Sequence, residues 1–217
     1  MQHVSAVNHR RVLAHFSAVD PVMAKLAHEV GPCALRRIEL DSPFRYLVGA
    51  IIAQQISGKA AASIQQRLLD VLGTRRGKFP TPKRILAAPV TVLRSAGLSA
   101  AKAAAVYDLA TKSQAGLIPA VRILDTLADD EIIERLTQVR GIGPWTVQMM
   151  LMFQLGRPDV LPVTDFGVRS GFRLAYRKRQ LPTPGQLARF GARWSPYRSA
   201  AAWYLWRATE RLRNQDH

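Results

Sequence analysis

Two glycines and a carboxylate in the last third of the chain have types and spacing that could do chemistry. Gly141 and Gly143 flank one apolar residue, after a predicted helix end and before Pro144, which suits the first turn of the next helix. Glycine permits a positive φ and lets another backbone approach without a Cβ in the way. Amides at the start of the following helix, Thr146 among them, suit a phosphate. The segment predicts a grip on a phosphate backbone, although ordinary tight helix–helix turns also use glycine and proline.

The carboxylate is that of Asp165, which follows Gly143 by 22 residues and begins a predicted helix. A carboxylate can act as a general base or stabilise a developing positive charge. Aspartate is also a favoured helix N-cap, a role that needs no chemistry. On position alone, the N-cap interpretation is sufficient for Asp165.

The charge balance of the chain favours a polyanionic partner. Its 217 residues include 31 Lys and Arg against 15 Asp and Glu, a net charge of +16. Nucleic acid is the commonest such partner, and a basic surface kept for solubility or anionic lipid is the alternative. The sequence has no apolar run of the roughly 18 residues that a spanning helix needs and no signal-peptide pattern. We therefore expect a cytoplasmic protein associated with DNA in the nucleoid and no membrane partner.

The elements that must position these residues are predicted to be helices. Apolar residues recur at helical spacing, as in Phe44, Leu47 and Ile51, and strand patterns are scarce. The predicted helices span about 20–30, 43–53, 58–72, 83–88, 90–96, 100–115, 129–139, 145–155, 165–177, 184–193 and 197–213. The predicted fold class is all-α, with one core or two small lobes at this length.

The order of hairpin, apolar helix and carboxylate resembles that of the helix-hairpin-helix DNA glycosylase superfamily. The eleven residues from Leu136 to Thr146 match its hairpin, and further ordered matches run from about Pro32 to Arg207. The chain is similar to the bacterial 3-methyladenine DNA glycosylase II group, in a compact form without the N-terminal β-rich domain. The resemblance implies one glycosylase unit over residues 1–217. It would have two helical lobes, the hairpin motif at about 136–155 and an active-site cleft between the lobes.

The resemblance implies that Asp165 is the catalytic carboxylate of N-glycosidic bond cleavage. That reaction passes through an oxocarbenium-like sugar, whose positive charge a carboxylate stabilises. Bifunctional relatives carry a Schiff-base lysine where this chain has Trp145, so a monofunctional enzyme is implied. Adenine-mismatch relatives carry a glutamate acid where this chain has Ala50. Alkylated purines such as 3-methyladenine and 7-methylguanine are cationic and leave without protonation, which makes them the implied substrates.

The resemblance also assigns residues to a base pocket. Its positions are Trp145, Met149, Tyr197 and Trp206, and Tyr204 lies near enough in sequence to join them. Met149 replaces a pocket tyrosine of the relatives. Electron-rich rings stack well on a cationic base, although aromatic residues at helical spacing are more often part of a core.

The loop after the helix at 43–53 is implied to fill the gap that base flipping leaves in the duplex. Gln55 matches the position of the intercalating wedge, and Gln54 precedes it. A solvated polar residue at a helix end is the alternative for Gln55. Together with Gly141, Gly143 and Thr146, these glutamines are the expected DNA contacts.

No cofactor is implied, apart from a structural monovalent cation at the hairpin. The resemblance assigns its ligands to the backbone carbonyls of Thr137, Val139 and Ile142. The iron–sulfur cluster of some relatives is not expected, because no cysteine follows Cys33. One cysteine also excludes an internal disulfide.

The expected partner is double-stranded DNA with a damaged base, bound by a monomer. Candidate phosphate contacts are the clusters Arg36-Arg37, Arg75-Arg76 and Arg177-Lys178-Arg179, although a single basic cluster is more often a solvated face. Two alternatives remain: a glycosylase for deaminated or etheno purines, and a non-catalytic helix-hairpin-helix DNA-binding protein.

Overall fold

The computed structural model describes residues 8–39, 41–73 and 78–213. Within these ranges it contains thirteen α-helices, one 3₁₀ turn and no strand, so the predicted all-α class is confirmed. The helices are α1 (His9–Val19), α2 (Pro21–Val30), α3 (Pro43–Ala53), α4 (Gly58–Val71), α5 (Pro82–Ala87), α6 (Val90–Ser95), α7 (Ala100–Gln114), α8 (Val121–Leu124), α9 (Asp129–Leu136), α10 (Pro144–Phe153), α11 (Phe166–Ala175), α12 (Pro184–Gly191) and α13 (Arg198–Arg213), with the 3₁₀ turn at Ala192–Trp194. None of the described helices is long and apolar enough to cross a membrane.

Most helices begin within one residue of the predicted start. Polar residues just ahead of these helices act as their N-caps. Ser42 and Ser57 accept the third amide of α3 and α4 at 3.3 Å. Thr183 and Gln186 form a reciprocal capping box at the start of α12. Each cap satisfies an amide that the first turn of a helix leaves unpaired.

The sequence patterns do not predict α1 or the four-residue α8. Helix α1 buries only Val12 and Phe16 in a segment that is otherwise mostly polar and basic, so its apolar stripe is too narrow to stand out. The helix predicted over 129–139 ends earlier, at Leu136. There the chain changes to tight turn bonds, from Val139 N to Leu136 O and from Ile142 N to Val139 O.

The contacts divide the chain into two compact units, with the division inside α10. One unit is Leu40–Val147, in which α7 packs against α3, α5 and α6. Ala103, Ala105 and Ala110 of α7 are buried, and their small side chains let the neighbouring helices approach closely. The other unit joins the described residues up to Glu39 to those from Gln148 onward.

The unit formed by these two segments has a buried carboxylate in its core. Asp20 is 3% exposed and accepts hydrogen bonds from Tyr176 Oη at 2.6 Å, Trp194 Nε1 at 2.8 Å and Met23 N at 3.1 Å. Burial, with Asp20 beside it, raises the pKa of Tyr176 well above its usual range. Three donors compensate the carboxylate for the water it loses, and they connect the start of α2 to α11 and the 3₁₀ turn.

Asp20→Asn is expected to lower the free energy of unfolding by about 2 kcal/mol. Asp20 Oδ2 accepts hydrogen bonds from Tyr176 and Trp194, and Oδ1 accepts one from the Met23 amide. In either orientation of an asparagine side chain, its NH₂ group would therefore face a donor. Chemical denaturation would measure the change, with Asp130→Asn, at an exposed position of α9, as the control for loss of one charge. Equal stability of the two variants would contradict this account of Asp20.

The single cysteine lies in the same unit. Cys33 is 6% exposed, and burial raises the pKa of its thiol to about 11. Since the thiolate is the reactive form, the Cys33 side chain behaves as a small apolar group at neutral pH.

Candidate active site

The predicted hairpin connects α9 to α10, and its two glycines have different roles. Gly141 has a φ of +77°, and a Cβ there would lie 3.4 Å from that of Ala105. Gly143 does not have a positive φ, and a Cβ there would meet no described atom within 4 Å. The fold therefore needs glycine at 141, whereas glycine at 143 leaves the outer surface of the hairpin open to another molecule.

Thr146 does not present its polar groups on this surface. The residue is 7% exposed, and its amide donates to the Gly143 carbonyl at 3.0 Å. In the free protein the first turn of α10 uses the Thr146 amide internally, and a DNA contact at Thr146 stays a prediction.

The carbonyls predicted to hold a cation lie in the turns that lead into the hairpin. Val139 and Ile142 are buried, and the Val139 carbonyl accepts the Ile142 amide at 3.0 Å. A carbonyl oxygen has a second lone pair, and backbone oxygens are ligands that hard cations prefer. The backbone carbonyls of Thr137, Val139 and Ile142 are ligands of the type such an ion takes, and the ion stays a prediction.

Asp165 is the N-cap of α11 and is half-buried. Its Oδ1 accepts the Val168 amide at 2.7 Å and the Trp206 indole N–H at 2.8 Å. The cap fixes the side chain along the helix, and the indole fixes it from a second direction. The N-cap and catalytic interpretations are therefore compatible, because the same contacts that cap the helix orient the carboxylate.

Two glycines of α11 allow Asp165 and Trp206 to meet. A Cβ at Gly167 would lie 2.8 Å from Trp206 Cδ1 and 3.1 Å from Asp165 Oδ1. A Cβ at Gly171, one turn further along the helix, would overlap the backbone carbonyl of Leu205. Glycine at both positions permits the close packing of α11 on α13 that brings the indole to the carboxylate.

The segment that leads to Asp165 is bonded to the start of α13. Ser199 Oγ accepts the Val160 amide at 2.9 Å and donates to the Arg157 carbonyl at 2.7 Å. Arg198 Nε donates to Asp159 Oδ1 at 2.7 Å. Burial acts to raise the pKa of Asp159, but hydrogen bonds from Arg198 and Ser195 hold it below its usual value.

Gln54 and Gln55 follow α3, and the structure separates their roles. Gln55 is exposed and has a φ of +59°. The Gln54 side chain instead donates to the Gly141 carbonyl at 2.7 Å, which connects this loop to the hairpin. Gln55 therefore occupies the exposed position expected of a DNA contact, whereas the Gln54 amide group is bonded within the protein.

A model of the HhH-GPD superfamily of base excision DNA repair proteins matches residues 48–196. The chain belongs to this superfamily. It is 36% identical to DNA-3-methyladenine glycosylase 1 of Schizosaccharomyces pombe, over 90% of this chain and 86% of that protein. The structure of this S. pombe enzyme (Mag1) in complex with abasic DNA has a TM-score of 0.79, with 92% of this chain and 97% of that chain covered. A DNA-3-methyladenine glycosidase of Bacillus halodurans, 28% identical, has a TM-score of 0.83 over 99% and 95% of the two chains.

In this HhH-GPD protein, two further aromatic rings lie beside Asp165 and Trp206. The sequence patterns do not single them out. Phe153 stacks on Trp206 with ring centroids 5.9 Å apart and planes at 23°. Phe166 directly follows Asp165 and is 70% exposed. An apolar residue next to a predicted catalytic carboxylate is a signal that could have identified Phe166. The stacking of Phe153 depends on tertiary packing, for which the sequence gives no signal.

The other predicted pocket residues lie in varied settings. Trp145 is 46% exposed in the first turn of α10, and Met149 is half-buried one turn later. The Tyr197 ring packs edge to face on the His15 ring, with centroids 5.4 Å apart. Tyr197 precedes Trp206 by nine residues, which corresponds to a helical rise of about 13 Å. Tyr204 is fully buried and donates to the Gly31 carbonyl at 3.0 Å, so the prediction that it joins the pocket is wrong.

The described residues of the basic clusters are exposed, except for Arg37. Arg177, Lys178 and Arg179 follow α11 on the surface, with Arg177 at a φ of +50°. Arg36 is exposed and Arg37 is half-buried. Arg75-Arg76 lies outside the described residues.

Proposed function

We propose that this chain is a monofunctional DNA glycosylase of base excision repair that releases alkylated purines, such as 3-methyladenine and 7-methylguanine, from double-stranded DNA. The observation that carries the proposal is the Asp165 carboxylate, which α11 and the Trp206 indole orient in a base excision repair fold. The names of the related proteins, DNA-3-methyladenine glycosylase and glycosidase, support the substrate class.

Asp165 stabilises the positive charge that develops on the sugar as the N-glycosidic bond breaks. The bonding electrons leave with the cationic base, which therefore departs as a neutral molecule. Water then attacks C1′ and loses a proton to the carboxylate or to solvent. The indole N–H of Trp206 holds the carboxylate through Oδ1 and acts as a positioning group.

The first turn of α10 contains no lysine, the residue whose amine strand cleavage would need. Trp145 stands where bifunctional relatives have their lysine, so no Schiff base forms and the product is an abasic site in an intact strand. The ring of Phe166, which directly follows Asp165, is exposed and suits stacking on a base. An electron-poor cationic purine gains more from such rings than a neutral one does.

We assign the DNA backbone contact to the hairpin at Gly141 and Gly143, and the wedge that fills the flipped base's gap to Gln55. The open space at Gly143 and the exposed side chain of Gln55 support these assignments. A monovalent cation on the hairpin carbonyls would stabilise the turn and take no part in bond cleavage. The protein is expected to act as a monomer, since every residue assigned to the reaction belongs to one chain.

The proposal is tested by incubating the protein with methylated duplex DNA and measuring released bases and strand breaks. Release of 3-methyladenine is expected, with breaks only after alkali and no adduct trapped by borohydride. A trapped adduct would replace the monofunctional mechanism with a lyase. Tight DNA binding without release of any methylated, deaminated or etheno base would overturn the enzymatic proposal in favour of a DNA-binding protein.

Affinity for undamaged duplex DNA is expected to fall between about tenfold and a hundredfold from 50 to 200 mM salt. The net charge of +16 and the exposed basic clusters provide the phosphate contacts whose counterions are released on binding. Fluorescence anisotropy over a salt series measures the slope. A flat salt dependence would contradict a backbone grip.

A further inference from the structure

The backbone of Gln55 adopts a conformation that the loop itself does not favour. Its φ of +59° lies in the left-handed region, which side chains other than glycine, asparagine and aspartate seldom occupy. Such a conformation persists where surrounding contacts determine it, and it is often found at functional sites. The loop has neither a glycine before Gly58 nor a proline to impose this geometry.

Lys102 supplies contacts that determine the backbone on both sides of Gln54. Its Nζ donates to the carbonyls of Ile52 and Gln54, each at 2.7 Å. The last carbonyls of a helix have no partner within the helix, and a cation there also interacts favourably with the helix dipole. Lys102 therefore caps the end of α3 from a neighbouring helix and fixes the peptide that leads into Gln55.

The same helix, α7, also holds the hairpin. Asp108 accepts the Arg140 amide at 2.7 Å and the Lys112 ammonium at 2.8 Å, and Lys112 in turn donates to the Gln138 carbonyl. Burial acts to raise the pKa of Asp108, but its bonds to Arg140 and Lys112 lower it below the usual value. The carboxylate is therefore ionised at neutral pH and remains bonded to the turn.

Gln54 completes the connection between the Gln55 loop and the hairpin. Its side chain donates to the Gly141 carbonyl of the hairpin, while its own carbonyl accepts Lys102. The Gln55 loop and the hairpin are thus bonded to each other. Lys102 and Asp108 also bond both of them to one helix, α7. All of these residues belong to the Leu40–Val147 unit.

We propose that Lys102 is a positioning residue for base extrusion, which holds the Gln55 loop in the conformation that enters the duplex. Two of its ammonium donors are directed to backbone carbonyls, and its side chain is partly buried. Lys102 therefore acts through the loop and not through a phosphate. The inference rests on the proposed function, because it assumes that Gln55 fills the gap left by the extruded base.

The first experiment measures insertion of the Gln55 loop into the duplex without chemistry. The probe is a duplex with 2-aminopurine beside an abasic-site analogue, whose fluorescence rises when neighbouring bases unstack. At saturating protein, Lys102→Met is expected to give a much smaller rise than the wild type, with Lys102→Arg restoring most of it. The salt dependence of binding is expected to be unchanged, since no phosphate contact is lost. Lys83→Met, an exposed lysine of α5, is the control for loss of charge.

The second experiment compares 7-methylguanine release under single-turnover conditions from two duplexes. Lys102→Met is expected to lower release roughly tenfold when the lesion is opposite cytosine, the loss expected for a charge-assisted hydrogen bond. Little change is expected when it lies opposite an abasic-site analogue, because a lesion without a partner is extruded at lower cost. Equal losses on both duplexes, or a full fluorescence rise, would overturn the inference.

A variant at Gln54 guards against a folding defect in Lys102→Met. Gln54→Met removes the side-chain bond to Gly141 and keeps the carbonyl that Lys102 holds, so the same pattern with a smaller loss is expected. Wild-type protein that releases no base would overturn the proposed function alone. The fluorescence experiment would still decide whether Lys102 positions the loop.

Discussion

Asp165→Asn is expected to lower the rate of base release on the order of a thousandfold, with no loss of DNA affinity. The substitution removes the charge that stabilises the oxocarbenium-like sugar. It keeps the geometry, because the amide oxygen can accept both the Val168 and Trp206 donors that now converge on Oδ1. Asparagine also caps helices as well as aspartate does. Single-turnover base release, binding and thermal unfolding would be measured on the same preparation.

The control for Asp165→Asn is the same change at an exposed position. Asp130→Asn removes one negative charge from the first turn of α9, so its rate reports the general effect of a more basic protein. Comparable base release by the two variants would assign Asp165 to capping alone. Asp165→Ala would then lose stability without losing the reaction on the folded fraction.

Gly171→Ala is expected to destabilise the protein by about 3 kcal/mol and to abolish most of the activity of the folded fraction. The new Cβ would overlap the Leu205 carbonyl, which belongs to the backbone of α13 and cannot rotate away. Relief requires α11 to move from α13. Asp165 and Trp206 lie on these two helices, so the same movement separates the carboxylate from the indole that orients it.

Gly185→Ala is the matched control for Gly171→Ala. A Cβ at Gly185, in the first turn of α12, would meet no described atom within 4 Å. We expect its stability to differ from the wild type by less than about 0.5 kcal/mol. Denaturant unfolding and single-turnover base release compare the pair, and a Gly171→Ala protein as stable and active as the control would show that the helices tolerate a wider separation.

Local features of the sequence predict the described helices other than α1 and α8, together with their starts. Ser42, Ser57 and Thr183 are polar residues placed before apolar periodic segments, and each caps a helix in the structure. Asp165 illustrates the limit of such reasoning. Its position predicts only the cap, and the resemblance to a glycosylase family was needed to select it as a catalytic candidate.

Contacts between distant segments could not be predicted from spacing. Trp206 and Asp165 are 41 residues apart, and Gln54 and Gly141 are 87 residues apart. Both hydrogen bonds depend on how whole helices pack, and nothing in the local pattern distinguishes the inward Gln54 from the exposed Gln55. The burial of Thr146 could not be predicted for the same reason, since a polar residue in a first turn can face either way.

The buried thiol of Cys33 makes the chain a convenient protein for site-specific labelling. Its pKa of about 11 leaves on the order of one thiol in ten thousand ionised at pH 7, so maleimides and methylating electrophiles react with it slowly. Because the chain has no other cysteine, a thiol introduced at an exposed position becomes the one that reacts fast. A fluorophore attached through Gln55→Cys would report the motion of that loop as the protein searches along DNA.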